Sequence, residues 1–503
     1  MAKTAIEKAI FNKVKEQLGL DYSNFEEFKK AFFTFSEEDR KKIREIVRNL
    51  TILDPAVGSG HFLVSSLNVL LEIWYELGMI NIPKKYEVKF ENGDIKLYKN
   101  DKPFVYRKNS SVDDADFQQK VFKAKKEIIE NNLFGVDINP KAVEIARLRL
   151  WIELLKNAYY KPDGTMETLP NIDINIKVGD SLRAPIVDIS TTLFNKRIPR
   201  LKELFTEYQN TSNKVERKAI AEEFGNIRKE IITGIETAYN DLIWTLDFPH
   251  TIDENGQFKG FDVVIGNPPY IDSESMSKTQ PEVREYLSRE YDMAKGNWDI
   301  FVVFIEKGIS LLKDNGMLSY IVPNKLISAP YSETLRKYLL TKKVIEIRDL
   351  SNINVFEEAD VYPIVIIIQN SSIRNDVLVT AMQSTTKIKE QNIIAAEVFY
   401  QDIYWDKYFI NSVQLALLIK ISKFPSLETY AFNISNAATV NEAYKIKEYL
   451  QEEGNLTGVQ FSKFINTGTI SRYVSLWGIK PTTYIKSTYR KPVISYKDLQ
   501  NIS

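Results

Sequence analysis

The sequence lacks several features that would assign it to common protein classes. Its 503 residues contain no cysteine and two histidines, His61 and His250. These counts exclude a disulfide scaffold, a thiolate metal site and a histidine zinc cluster, and the absence of cysteine is typical of a reducing cytosol. No run of about eighteen residues is apolar and free of charge, so no membrane-spanning helix is predicted. The formal net charge is zero, which excludes a generally basic, histone-like protein and confines any phosphate-binding surface to part of the chain.

What the sequence does contain is a rigid polar turn after a predicted buried strand. The apolar run Phe261–Gly266 is typical of a parallel sheet and leads into Asn267, Pro268, Pro269 and Tyr270. The two prolines fix two φ angles and remove two N–H donors, so the turn presents the Asn267 side chain and carbonyl oxygens as acceptors. Tyr270 adds a flat ring on which a planar group can stack. The turn favours a planar substrate with an exocyclic NH2 group, although an ordinary turn can have the same composition.

A glycine-rich turn lies upstream, between another predicted strand and a predicted helix. It reads Asp54-Pro55-Ala56-Val57-Gly58-Ser59-Gly60. The two glycines allow the backbone to approach a ligand closely, and the N–H groups at the start of the helix suit an anionic group. Neither G-x-G-x-x-G nor G-x-x-x-x-G-K-[ST] is present, so the turn alone does not identify a cofactor and a nucleoside triphosphate is disfavoured.

Two further predicted strands end in carboxylates. Asp137 follows one of them, and Asn139 and Pro140 then predict the N-cap and first residue of a helix. Asp180 and Ser181 follow the other. A carboxylate at a strand end can accept hydrogen bonds from both hydroxyls of a ribose, and Asp180 could accept one from an adenine amine. A single such Asp is more often a turn former, but four polar strand ends in series indicate a ligand site.

Together these motifs resemble the gamma-type N6-adenine DNA methyltransferases of the type II (IIG-like) restriction-modification family, which carry D-P-A-x-G-S-G-x-F and N-P-P-Y. The resemblance covers residues 51–369 and weakens beyond them. It implies a class I S-adenosylmethionine-dependent methyltransferase fold: an α/β, Rossmann-like, mostly parallel seven-stranded sheet with helical insertions and a C-terminal α+β module. It also implies S-adenosylmethionine as the cofactor, no metal, and double-stranded DNA as the partner.

The resemblance assigns roles to individual residues. Seven would contact the cofactor: Asp54, Ala56, Gly58 and Gly60 at its methionine part, Asp137 at its ribose, and Asp180 and Ser181 at its adenine.

Five other residues would contact the target base. Asn267 and the carbonyl of Pro268, stiffened by Pro269, would accept both N6 hydrogens of an adenine, with Tyr270 stacked on its ring. Phe356 would stack on the second face. A base inside a duplex must be flipped out to reach such a site.

Two other interpretations stay open at this point. Release-factor glutamine methyltransferases and some RNA guanine-N2 methyltransferases also carry N-P-P-Y, but they are usually shorter and lack long insertions and a large C-terminal module. The alternative from a different class is a non-catalytic DNA-binding or specificity subunit that keeps the fold.

The pattern along the chain predicts three parts. They are a helical N-terminal segment (1–50) with Phe25, Phe28, Phe32 and Phe33 on one packed stripe, a catalytic domain (51–370) with insertions at about 78–124 and 189–244, and the start of a target-recognition domain (371–503). The family's F-Y-T-P block is missing from residues 1–50, and the recognition domain looks incomplete. We therefore expect a fragment of a longer polypeptide that carries a nuclease or the remaining recognition domain. The richness in Lys, Ile, Asn and Tyr is typical of an AT-rich bacterial genome, so we expect a cytoplasmic bacterial protein.

The last part of the chain combines basic and aromatic residues. From residue 456 onward the basic residues are Lys463, Arg472, Lys480, Lys486, Arg490, Lys491 and Lys497, against the single acid Asp498. The aromatic residues interleaved with them are Phe461, Phe464, Tyr473, Trp477, Tyr484, Tyr489 and Tyr496. This mixture favours a DNA-reading surface, although a solvated β-rich face would look similar.

Overall fold

The computed structural model of the chain describes residues 1–22, 24–91, 94–161, 163–167, 169–189, 196–211, 213–234, 241–351, 353, 362–384, 387–421, 424–425, 429, 440–471 and 474–499. The α-helices are α1 (Ala2–Leu18), α2 (Phe25–Phe32), α3 (Glu37–Arg48), α4 (His61–Glu76), α5 (Val112–Asn132), α6 (Pro140–Leu155), α7 (Ile198–Asn210), α8 (Lys214–Gly234), α9 (Trp244–Asp247), α10 (Ser273–Thr279), α11 (Pro281–Glu290), α12 (Phe301–Ser310), α13 (Lys325–Ser328), α14 (Glu333–Leu339), α15 (Ala396–Phe399), α16 (Ser412–Ile421), α17 (Val440–Tyr449) and α18 (Tyr496–Leu499). The strands are β1 (Ile52–Asp54), β2 (Tyr86–Glu91), β3 (Asp94–Lys99), β4 (Lys102–Pro103), β5 (Leu133–Asp137), β6 (Ile176–Val178), β7 (Phe261–Gly266), β8 (Leu312–Pro323), β9 (Lys343–Asp349), β10 (Pro363–Gln369), β11 (Val377–Met382), β12 (Ile388–Ile394), β13 (Gln451–Glu452), β14 (Phe461–Lys463), β15 (Ile470–Ser471), β16 (Val474–Ser475), β17 (Thr482–Tyr484), β18 (Ser487–Tyr489) and β19 (Pro492–Ser495).

One large sheet organises residues 1–416. Its nine described strands follow the order β12-β11-β9-β10-β8-β7-β1-β5-β6. The run from β8 to β6 is parallel throughout, β10 is antiparallel to both of its neighbours, β11 is parallel to β9, and β12 is antiparallel to β11. All six residues of β7 are buried, because helices cover both faces of such a sheet. The predicted α/β class and mostly parallel sheet are confirmed.

The sheet is wider than the seven strands that the sequence predicts. The two additional strands, β11 and β12, extend it beyond β9 and lie past the predicted domain boundary near residue 370. β11 pairs with β9, and β10 lies between these two strands in the chain. The pairing is therefore a long-range contact that local pattern does not reveal.

Three helices precede β1. α1 packs against β8, β7 and α4, and its Lys13 ammonium lies 2.7 Å from Oδ1 of Asp262, at the start of β7. Phe25, Phe28 and Phe32 are buried, whereas Phe33 is exposed. The predicted aromatic stripe is therefore correct for three residues and wrong for Phe33, because α2 ends at Phe32 and the next side chain leaves the packed face.

The two insertions have different structures. Between α4 and β5 the chain forms the small antiparallel sheet β2-β3-β4 and then α5. Between β6 and β7 it forms α7 and α8, whose apolar faces build a separate small core with Ile243 and Leu246. No described helix is both long and apolar enough to cross a membrane.

The chain divides into a unit of residues Met1–Ala416 and a unit of residues Leu417–Ser503. This division lies after β11 and β12 rather than near residue 370. The described part of the second unit contains the small sheets β13-β19-β14, β15-β16 and β17-β18 together with α17 and α18.

Candidate active site

The turns that follow four adjacent strands meet at one edge of the large sheet. β6, β5, β1 and β7 are parallel neighbours, so their carboxyl ends lie at the same edge. From β1 the chain proceeds to β5 and β6 on one side, while β7 lies on the other side of β1. Ligands in open α/β sheets bind in the crevice where the strand order reverses in this way.

A cavity of about 330 Å³ lies at this reversal, within the usual size range of small-ligand pockets. Six residues of the predicted site line it: Ala56, Asp137, Asp180, Ser181, Asn267 and Pro269. The other lining residues are Pro55, Ile138, Gly179, Leu182, Ile271, Gln280, Val283, Leu287, Ile300 and Phe304. Turns that are far apart in the sequence thus share one cavity.

The glycine-rich turn supports the cavity from behind. Neither Gly58 nor Gly60 is among the lining residues. The Gly58 N–H donates to Oδ2 of Asp137 at 2.8 Å. Gly60 has a φ of 82°, and a Cβ atom there would lie 3.1 Å from the Cα of Ala146, so this glycine lets α4 begin directly against α6. The turn positions Asp137 and packs two helices together.

Asp54 ends β1 and is fully buried behind the same cavity. Its Oδ1 accepts a hydrogen bond from the Ala56 N–H at 3.1 Å, and Oδ2 accepts none from the described residues. A Cβ atom at Gly266 would lie 2.7 Å from Oδ1, so the end of β7 closes over the carboxyl. Burial, reinforced by the charge of Asp137, raises the pKa of Asp54 to about 8. Burial therefore favours the neutral form of the Asp54 carboxyl.

Asp137 lines the cavity, and two backbone N–H groups orient its carboxylate. Oδ2 accepts from the Gly58 N–H, and Oδ1 accepts from the Asn139 N–H at 2.9 Å. Asn139 in turn caps α6 by accepting from the Lys141 N–H, as the sequence predicts. Each carboxylate oxygen has a second lone pair, and the side chain lines the cavity, so two hydroxyls could still be bound.

Asp180 and Ser181 differ in what they can offer a ligand. Oδ1 of Asp180 accepts from the N–H groups of Leu182 and Arg183, at 3.0 and 3.2 Å, which orients the carboxylate at the cavity wall. The Ser181 hydroxyl donates to the Pro55 carbonyl at 2.6 Å and so ties the turn after β6 to the turn after β1. Ser181 can still act as an acceptor, but its proton is already used.

The Asn267–Tyr270 turn leaves the sheet directly from β7. Oδ1 of Asn267 is buried at the cavity and accepts no hydrogen bond from the described residues. Pro268 is buried, and Pro269 lines the cavity. The Tyr270 hydroxyl donates to the Ile321 carbonyl at 3.2 Å, which fixes the ring against the end of β8, and burial raises the pKa of Tyr270. An unsatisfied buried acceptor of this kind favours a donor supplied by a ligand.

An apolar wall of the cavity was not predicted. Ile138 follows Asp137, lines the cavity and is 69% exposed. Val283 and Leu287, one helical turn apart on α11, line the cavity as well. Ile138 stands out in the sequence as an apolar residue in a polar turn, which could have identified it. The i, i+4 pair on α11 predicts a buried face but not what that face covers.

Two further predicted features are the second stacking residue and the basic, aromatic segment from residue 456 onward. Phe356, the predicted second stacking residue, falls outside the described residues. In the second unit, the ammonium groups of Lys463 and Lys491 lie 4.6 and 5.7 Å from the ring centre of Trp477, and Lys491 also pairs with Glu453. Among the described residues no group of three or more His, Asp or Glu side chains is placed to hold a metal ion.

Comparison with known proteins identifies this region. Residues 131–356 match the family model described as Eco57I restriction-modification methylase. These residues run from the end of α5 past β5, β6, β7, β8 and β9, and so include the Asn267–Tyr270 turn.

Three curated relatives show the same kinship over longer stretches. A protein of Methanocaldococcus jannaschii, named provisionally a type II restriction enzyme and methyltransferase, is 26% identical over 77% of this chain and 36% of its own length. The type II restriction enzyme and methyltransferase RM.Eco57I of Escherichia coli is 23% identical over 59% of this chain and 22% of its own. The adenine-specific methyltransferase PglX of Lacticaseibacillus casei is 21% identical over 65% of this chain and 23% of its own. The chain thus spans between 22% and 36% of the length of these three relatives.

The fold agrees with this kinship. The mostly parallel sheet, flanked by helices and with its ligand crevice between β1 and β7, has the class I S-adenosylmethionine-dependent methyltransferase architecture that the sequence predicts. The chain therefore carries an Eco57I-type restriction-modification methylase domain.

Proposed function

We propose that the chain is a site-specific DNA methyltransferase that uses S-adenosylmethionine to methylate the N6 amine of adenine, as the modification part of a bacterial restriction-modification system. One observation carries the proposal. The turn that holds Asn267 and Pro269 lines the same cavity as the turns that hold Ala56, Asp137 and Asp180. A donor site and an acceptor site for one group transfer are thereby adjacent.

The residues of the cavity suit S-adenosylmethionine. Asp137 would hold the ribose hydroxyls, and the carboxylate of Asp180 would accept from the adenine amine. Ile138 and Leu182 supply apolar contact for the adenine ring, and the backbone at Ala56 would face the methionine part. The cofactor supplies a methyl group on a positively charged sulfur. Its amino and hydroxyl donors match a wall in which the carboxylates of Asp137 and Asp180 are the acceptors.

The Asn267–Tyr270 turn would hold the target base. The lone pair of adenine N6 is delocalised into the ring, which makes the amine a poor nucleophile. When Oδ1 of Asn267 and the carbonyl of Pro268 accept the two N6 protons, the nitrogen can become tetrahedral and direct its lone pair toward the methyl group. The ring of Tyr270, fixed through its hydroxyl to Ile321, would stack on the base.

The reaction needs positioning more than a strong base. The N6 nitrogen becomes acidic only as it is alkylated, so its proton can leave late. Preorganised acceptors contribute most when they are shielded from water, and Oδ1 of Asn267 is buried. Asp54 is fully buried, does not line the cavity and has a raised pKa, so it is not placed to act as the base.

Double-stranded DNA is the inferred partner. The net charge of the chain is zero, so phosphate contacts must come from local surfaces such as the basic part of the second unit, from residue 456 onward. The target adenine would be flipped out of the duplex to reach the turn after β7. The proposed partners also include further domains of a longer polypeptide of this family, among them a nuclease or the remaining recognition domain.

A methyl-transfer assay with several acceptors tests the function. Tritium-labelled S-adenosylmethionine would be incubated with the chain and with unmethylated phage DNA, tRNA, rRNA or a release factor. We expect label in DNA, recovered as N6-methyladenine after nuclease digestion. Asn267→Ala should lower the rate by about 100- to 1,000-fold, the usual effect of removing one preorganised hydrogen-bonding group, while calorimetric affinity for the cofactor changes little.

The matched control is Asn255→Ala, which alters an exposed asparagine in the turn before β7. Its rate should equal that of the wild type. Label in RNA or the release factor would favour the alternative substrates, and absence of cofactor binding would favour a non-catalytic subunit. Undiminished transfer by Asn267→Ala would remove the proposed role of the turn.

A further inference from the structure

One buried carboxylate next to the cavity collects hydrogen bonds from three separate segments. Asp299 lies just before α12 and is 6% exposed. Its Oδ1 accepts from the Ser273 N–H at 3.2 Å, and its Oδ2 accepts from the Lys325 ammonium at 3.2 Å and the Tyr331 hydroxyl at 2.7 Å. Asp299 itself does not line the cavity.

The three donors come from the segments that follow β7 and β8. Ser273 opens α10, immediately after the turn, and Lys325 opens α13, immediately after β8. Tyr331 belongs to the one-turn 3-10 helix Pro330–Ser332. Asp299 therefore joins the segment after β7 to the segments after β8.

A backbone contact continues this junction into the cavity. The Ile300 N–H, next to Asp299, donates to the Ile271 carbonyl at 3.0 Å, and both of these isoleucines line the cavity. The turn that begins at Asn267 is thus held at Tyr270 by Ile321, at Ile271 by Ile300 and at Ser273 by Asp299. A change at Asp299 would release the far end of the turn without touching its acceptors.

The strength of the junction comes from charge. Hydrogen bonds between ionised groups are roughly twice as strong as neutral ones, and a buried carboxylate whose partner is removed is costly to keep. An asparagine at position 299 would keep the shape, but it would lose the negative charge opposite Lys325 and could turn an NH2 group toward that ammonium.

We propose that Asp299 is a positioning residue for methyl transfer: by binding Ser273, Lys325 and Tyr331 at once, it holds the Asn267–Tyr270 turn where its acceptors meet the target amine. This inference rests on the proposed function. It predicts that Asp299 affects the rate of transfer more than the affinity for the cofactor, because misplacement of reacting groups by about 1 Å can reduce a rate by about 100-fold.

The experiment compares Asp299→Asn, Tyr331→Phe and the wild-type chain by three measurements. Hydrogen exchange is followed in peptides that cover residues 267–280, cofactor affinity by calorimetry, and single-turnover methyl transfer to unmethylated phage DNA by label. For Asp299→Asn we expect exchange faster by about tenfold in those peptides, transfer slower by about 30-fold and a cofactor Kd within about threefold of the wild type. Tyr331→Phe, which removes one of three bonds, should slow transfer by about threefold.

The matched control is Glu274→Gln, which changes an exposed residue of α10 that pairs with Lys278. Its exchange and transfer should equal those of the wild type. Unchanged exchange in Asp299→Asn, or faster exchange with transfer within twofold of the wild type, would overturn the positioning role. Thermal unfolding of each variant shows whether slower transfer comes from misfolding, and Tyr331→Phe provides the milder change for that comparison. If the wild type transfers no methyl group to adenine, the proposed function fails, while the exchange measurement still decides whether Asp299 holds the turn.

Discussion

Asp54 and Asp262 lie on adjacent strands of one sheet, and both are buried to within 1% of full burial, yet the pKa values of their carboxyl groups are shifted in opposite directions. Asp262, at the amino edge, is bound by the ammonium groups of Lys13 and Lys313 at 2.7 and 3.0 Å. The N–H and hydroxyl of Thr51 also donate to it, at 2.8 and 2.9 Å. Burial alone would raise the pKa of Asp262, but the two lysines outweigh burial and hold the pKa below its ordinary value.

At the carboxyl edge, Asp54 has one backbone donor and no paired cation among the described residues, so burial raises the pKa of its carboxyl to about 8. The two edges of the sheet therefore differ in whether the protein itself supplies partners for the buried polar groups. At Asp262 the protein compensates the buried charge with two of its own lysines, which serves stability. Around Asp54 and Asn267 it leaves buried acceptors without donors, which costs stability and fits a ligand that brings donors.

The largest effect should follow from removing Asp262, the buried acid whose charge the protein itself compensates. Asp262→Ala leaves Lys13, Lys313 and Thr51 without their shared acceptor. We expect the free energy of unfolding, from urea titration followed by tryptophan fluorescence, to fall by about 3 kcal/mol or more, as for other broken buried ion pairs. The control is Asp21→Ala, which removes an exposed pair with Lys15 and should cost less than about 1 kcal/mol. Equal losses in the two variants would contradict the comparison.

The two acids should also respond to pH in opposite directions. The pKa of Asp54 is raised from 3.8 to about 8 on folding, so between pH 4 and 8 the folded state binds the extra proton. Its contribution to stability is then greatest at the acid end and declines as pH rises, by up to about 1.4 kcal/mol per pH unit, with no further change above pH 8. For Asp262, whose pKa is lowered, the contribution is present above pH 4 and is lost as pH falls further.

Asp54→Asn tests this directly, since asparagine is neutral at every pH. The difference in unfolding free energy between the wild type and Asp54→Asn should decline steadily from pH 5 to pH 8. The corresponding difference for Asp262→Asn should be constant over that range. A constant difference for Asp54→Asn would show that its carboxyl is ionised in the folded protein.

A smaller effect is expected at the rim of the carboxyl edge. Ile138→Ala removes an exposed apolar side chain from the cavity wall, so the cofactor should lose about 1 kcal/mol of contact, a roughly fivefold weaker Kd by calorimetry. Stability should not change, because the side chain is 69% exposed in the folded protein. The control is Ile145→Ala, an exposed isoleucine of α6 that does not line the cavity. Equal affinities in both variants would remove Ile138 from the site.

Local pattern was sufficient where a residue's role depends on its neighbours in the chain. The buried strand before Asn267, the cap at Asn139 and the strand that ends in Asp137 follow from apolar runs and from turn chemistry, and the structure confirms these elements. Local pattern was insufficient for β11, which pairs with β9 although β10 lies between them in the chain, and for Ile138 and Asp299, whose proposed roles depend on what faces them.

By itself, the sequence determined which strands end in polar turns and which residue types stand there, because strand periodicity, stiff prolines and capping residues act over a few positions. The tertiary structure alone decided which of those residues share a cavity and which acids are charged. Asp54 and Asp262 both stand in apolar strands and look alike in the sequence. Only the folded chain brings Lys13 and Lys313 to Asp262 and, within the described residues, pairs no cation with Asp54, and the cost of burying an unpaired charge then shifts the two pKa values in opposite directions.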